Sequence, residues 1–114
     1  MMELLEELQR KNEELTQSIK LLRANGEKLA EAEREYKMKL TQEVLKLKKE
    51  KMPATLIDLI IYGVPEVAKV RFERDIADVM YNANKEHINV TKLQLKIIQA
   101  QLDKEWANAE RMSD

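Results

Sequence analysis

Apolar residues recur along this chain at spacings that a helix turns into stripes. Leu8, Leu15, Leu22, Leu29 and Tyr36 repeat every seven residues, and Leu5, Ile19, Leu40 and Leu47 stand three before or four after positions of that row. Beyond Val64-Pro65 a second row begins with Tyr81 and continues through Ile88, Leu95, Leu102 and Ala109. Rows of this kind predict two long helices, each burying a face. The second helix carries a further apolar row, Ile76, Val79, Met80, Ala83, Val90, Leu93 and Ile97, so its apolar sector is wider than one partner helix covers. Two lone helices of this length also bury little surface. The expected fold is therefore all-α: a long antiparallel helical hairpin, coiled-coil-like, with a short apolar connecting helix, assembling into a dimeric four-helix core.

The ends of the elements follow from local chemistry. Residues 2–51 are rich in helix formers, with Glu3, Glu6 and Glu7 early and Lys46, Lys48, Lys49 and Lys51 late, as the helix dipole favours. Asn25-Gly26 is a turn dipeptide that could break this helix. The seven-residue step from Leu22 to Leu29 runs straight across it and favours continuity. Asn12, Gly26, Glu33 and Glu43 fall where the seam should be apolar; Val44 restores it by a four-residue step, a stutter. Residues 52–65 connect the helices. Pro53 suits a helix start, Thr55 with Asp58 resembles a capping box, and LIDLIIY gives a short helix over 54–62. Gly63 stops it, Val64 is held extended by Pro65, and Pro65 opens a helix over 65–111. The whole, residues 1–114, reads as one helical domain.

With 114 residues, two Gly, two Pro and a net charge of −1, the chain has little room for long loops and no overall bias toward polyanions. It has no Cys and a single His, so thiolate and multi-histidine metal sites are not expected, nor is any cofactor. The opening MMELLEELQR lacks the basic start of a signal peptide, and the longest nearly apolar run, residues 56–64, contains Asp58 and is far short of the ~20 residues of a membrane span. A cytoplasmic protein of a bacterial host, with no membrane partner, is expected. No Gly-rich phosphate loop or Glu-x-x-His pair is present, and Glu86 is adjacent to His87 rather than a turn away. The expectation is a protein that is not an enzyme and has no catalytic residues.

Two segments could meet partners. Leu56, Ile57, Leu59, Ile60 and Ile61 cannot all face one core from a two-turn helix, so they either cap the bundle or form a protein docking site. Residues 34–51 have a net charge of +4, against −3 before and −2 after. Here Arg34, Lys37, Lys39, Lys46, Lys48, Lys49 and Lys51 either flank the seam or contact a polyanion such as nucleic acid.

The stretch KMPATLIDLIIYGVPEVAKVRFERDIADVMYNANKEHINVTKLQLKIIQAQLDKEW, with LLRANGEKLAEAEREYKMKL upstream, resembles small helical proteins encoded by bacteriophages and prophages of Firmicutes. The resemblance implies a phage context, in the early region near recombination and replication genes, and no enzyme activity; it transfers no binding residues. It leaves two functions in view: a helical protein that oligomerises and binds a host or phage protein, and an accessory nucleic-acid-binding factor.

Overall fold

A computed structural model describes residues 1–113, with side chains to Met112. Of the expected domain 1–114, residue 114 lies outside the described residues. Every regular element is helical: α1 (Met2–Lys49), α2 (Ala54–Ile60), a 3₁₀ turn (Ile61–Gly63) and α3 (Pro65–Ser113). The chain is a helical hairpin with a short connecting helix, and it divides into two compact units.

The unit Ala24–Asn82 contains the connection. α1 continues unbroken through Asn25-Gly26. A Cβ built on Gly26 would sit 3.5 Å from Tyr81 Cε2, an ordinary contact, so this glycine faces a tyrosine ring and neither a turn nor another backbone. α1 ends two residues before the expected position 51 because Lys51 adopts φ 64. The Lys51 N–H donates to the Lys48 carbonyl (2.9 Å) and the Met52 N–H to the Leu47 carbonyl (3.2 Å), the paired bonds of a Schellman cap. Pro53 then caps α2, with no side-chain bond; Thr55 lies inside the helix, so the expected Thr55–Asp58 capping box does not form. Val64 is extended, as expected before proline, and its carbonyl accepts from Val67 and Ala68 to start α3.

Ile57, Ile61 and Val67 form the buried cluster of this unit, with Leu40, Val44, Leu47, Met52 and Val64 packed against it. Along α1 Tyr36 is buried and Asn25, Leu29, Ala32 and Leu40 are half-buried, as are Val70, Arg74, Ala77 and Tyr81 of α3; Gly26 faces Tyr81 and Tyr36 faces Arg74, antiparallel in order. The Arg74 guanidinium lies 4.5 Å from the centre of the Tyr36 ring. It also donates to Asp75 at 2.8 Å, which, chiefly through that hydrogen bond, raises its pKa further above its ordinary value.

The unit Met1–Arg23 with Ala83–Asp114 is also antiparallel. The Met1 amino group reaches Glu105 (3.3 Å), Glu14 reaches His87 Nε2 (3.2 Å), and the Asn84 amide donates to the Ser18 carbonyl (2.9 Å). Ser18, Ile88, Thr91, Ile98 and Leu102 are buried, and the Thr91 hydroxyl donates to the His87 carbonyl at 2.8 Å. One expectation is corrected here. The companion to Leu8, Leu15 and Leu22 is the row Leu4, Lys11 and Ser18, while Leu5, Asn12 and Ile19 are exposed. The leucine row serves either companion equally; Asn84, which donates to the Ser18 carbonyl from the α3 side, decides between them.

Candidate interaction surfaces

The connecting helix splits its apolar residues by its own period. Ile57 and Ile61, four apart, point inward and are each 3% exposed; Ile60 is half-buried. Leu56 is exposed, and Leu59, on the far side of the same turns, is 80% exposed. Tyr62 is also exposed, with the Arg71 guanidinium 4.6 Å from its ring centre. Of the five residues, Ile57 and Ile61 close the core, Ile60 is half-buried, and Leu56 and Leu59 are exposed.

Within the basic segment, two of the cations are paired along the helix and one is half-buried. Arg34 is engaged by Glu31 (2.8 Å) and Glu35 (3.9 Å), Lys46 approaches Glu43 (3.8 Å), and Lys39 is half-buried beside the seam. Lys37, Lys48, Lys49 and Lys51 are exposed. Lys48 and Lys49 occupy the last turn of α1, where cations offset the helix dipole.

Exposed apolar residues also line one face of α3. In the unit Ala24–Asn82, the α3 residues turned inward are Val67, Val70, Arg74, Ala77 and Tyr81, stepping three then four. Phe72, Ile76, Val79 and Met80 are exposed, Phe72 by 66%. In the other unit the inward residues are Asn84, Ile88, Thr91, Leu95, Ile98 and Leu102, and Val90, Leu93 and Ile97 are exposed, Leu93 by 59%. Apart from Met80, the exposed residues sit two positions from inward ones. At 100° per residue that is some 200° round the helix, on the opposite face. The row extends by the same step to the exposed Ala83 and Ala100, and Glu86 is its one charged member between Phe72 and Ala100. Phe72 had no place in the sequence reading of this row, although one step of four back from Ile76 reaches it.

Among the described residues, no group of three His, Cys, Asp or Glu side chains is placed to hold a metal ion, and no helix is long and apolar enough to cross a membrane. Compared with protein-family models, curated proteins and solved structures, the chain matches no family model, no curated protein and no solved structure.

Proposed function

We propose that this protein is a non-enzymatic helical association protein, homo-oligomeric, which binds through the outer face of α3. The observation that carries the reading is the exposed row Phe72, Ile76, Val79, Val90, Leu93 and Ile97, with the exposed Met80 beside it. Exposed apolar side chains grouped in this way mark an interaction site. Fully burying side chains of this kind stabilises by about 1.5–3 kcal/mol each, so covering seven that are already about half covered yields roughly 5–10 kcal/mol per copy. Association costs about 4–15 kcal/mol in lost freedom. The gain from one copy overlaps that cost, and the rows of two copies together, roughly 10–20 kcal/mol, exceed most of it.

Light scattering at tens of micromolar tests the reading. The expected mass is twice that of the monomer, returning to one monomer in the variant Val79→Asp/Leu93→Asp with helicity kept. A wild-type protein that stays monomeric throughout that range would refute it. A phage context, and a host or phage protein as the further partner, belong to the same proposal and rest on likeness of sequence alone.

The exposure of Lys37, Lys48, Lys49 and Lys51 favours a second reading, an accessory nucleic-acid contact. Four phosphate contacts on duplex predict a log–log salt slope of about −4. No binding to single- or double-stranded DNA at low salt removes this reading.

A further inference from the structure

The connected end of the unit Ala24–Asn82 carries exposed apolar and basic side chains together. Leu59 is 80% exposed, on the side of α2 turned away from Ile57 and Ile61. Leu56 and Tyr62, three residues to either side of it, are exposed too. Lys48 and Lys49 stand in the last turn of α1, Lys51 just beyond it, and Lys69 and Arg71 in the second turn of α3; all five are exposed. Arg71 lays its guanidinium 4.6 Å from the centre of the Tyr62 ring, which holds one of these cations against the apolar group. Between residues 48 and 71 the acids are Glu50, Asp58 and Glu66, also exposed, so five cations stand against three carboxylates and the net charge is +2.

From this combination we infer that the connected end seats on an anionic lipid surface, with Leu56, Leu59 and Tyr62 in the headgroup boundary and the cations around them on lipid phosphates. A nucleic acid would use the cations and leave Leu59 in water. A headgroup layer takes both: lysine stems lie along its apolar side while their ammonium groups stay with the phosphates, and a tyrosine ring sits at that depth with its hydroxyl wet. Neither signal is enough alone. A few apolar side chains give only marginal, reversible membrane binding, and a small positive charge gives only weak attraction, so seating needs the two together. α2 is already a helix, held by Ile57 and Ile61 on the cluster with Leu40, Val44 and Leu47, so its leucines are presented without folding on the surface. The contact is peripheral, since α2 has seven residues and a span needs about 20. It uses a surface other than the outer face of α3 and does not rest on the association reading.

Co-sedimentation of the full chain with vesicles tests this, comparing pure phosphatidylcholine with a mixture containing roughly one-third phosphatidylglycerol, and duplex DNA as a second polyanion. Binding to the mixed vesicles at low salt is expected to exceed that to pure phosphatidylcholine by about 10-fold and to fall at high salt. Leu59→Asp, at a side chain 80% exposed, keeps the helicity by circular dichroism and lowers binding by about 10-fold. Lys48→Gln/Lys49→Gln/Lys51→Gln lowers it by about 100-fold, roughly fivefold per cation. Trp106 is the only tryptophan, so in a Trp106→Phe background Leu59→Trp reports insertion as a blue shift of its emission on the mixed vesicles. No binding to the mixed vesicles at low salt overturns the inference. So does equal binding to both vesicles, which takes the cations out of the contact. Binding lost in the lysine variant but kept in Leu59→Asp, with no blue shift and with duplex DNA bound as well, marks a plain polyanion contact and overturns it too. Each of these results leaves the association reading standing.

Discussion

The two faces of α3 differ in a direction opposite to simple expectation. The inward face is buried, yet it carries Arg74, Asn84 and Thr91 among its apolar residues. The outward face is interrupted by a single charge, Glu86, between Phe72 and Ala100, yet it is exposed. Hydrophobicity alone did not choose which face pairs with α1. The choice comes from specific partners: the Asn84 amide on the Ser18 carbonyl, the Arg74 guanidinium on the Tyr36 ring, and the Ile57–Ile61–Val67 cluster that closes the connected end. Polar groups at a seam cost stability but fix register. The outward face carries no such polar contacts to α1, and the proposed association would use it.

One matched pair of substitutions puts this comparison at most risk. Val67→Ala and Val79→Ala remove the same atoms from the inner and outer faces. Val67 is fully buried, so its truncation is expected to cost about 2 kcal/mol of folding stability, transfer and cavity together. Val79 is 63% exposed, and at dilutions that dissociate the protein its truncation should cost less than about 0.5 kcal/mol. Urea titrations at low concentration give both values, and equal costs would dissolve the distinction between the faces. Next in size is Asn84→Ala, which deletes the donor to Ser18 and should cost about 1 kcal/mol; an unchanged midpoint would mean the seam's register does not depend on that bond. Smallest are two gains away from the outer face. Lys51→Gly relieves a left-handed residue and Gly26→Ala raises helix propensity where a Cβ meets Tyr81 at ordinary distance; each should stabilise by about 0.5–1 kcal/mol without altering association. A shift in oligomeric state in either would tie the seam to the outer face.

The helices themselves were legible in the sequence. Pro65 fixed the start of α3, because proline both suits a first helical position and forces Val64 to be extended. The heptad step across Asn25-Gly26 outweighed a turn dipeptide, because seam packing on both sides exceeds the cost of one glycine. The surplus apolar sector of α3 was also visible as periodicity. Three things were not. The end of α1 depends on Lys51 in a conformation that neither glycine nor asparagine announces. The companion row of α1 depends on residues 66 and more positions away, such as Asn84 against Ser18. Which members of LIDLIIY turn inward depends on the cluster they join. Each of these is a tertiary choice between options that the local sequence leaves nearly equal.

The central claim, that the outer face of α3 is covered by a second copy, is tested most directly by the unfolding temperature as a function of protein concentration. Association that requires the folded state raises the midpoint by mass action. The wild-type midpoint should climb over a range from about 1 to 100 micromolar, which spans dissociation constants worth roughly 6–8 kcal/mol. That of Val79→Asp/Leu93→Asp should stay flat. A wild-type midpoint independent of concentration across that range, or a variant that climbs in parallel with it, would contradict the account.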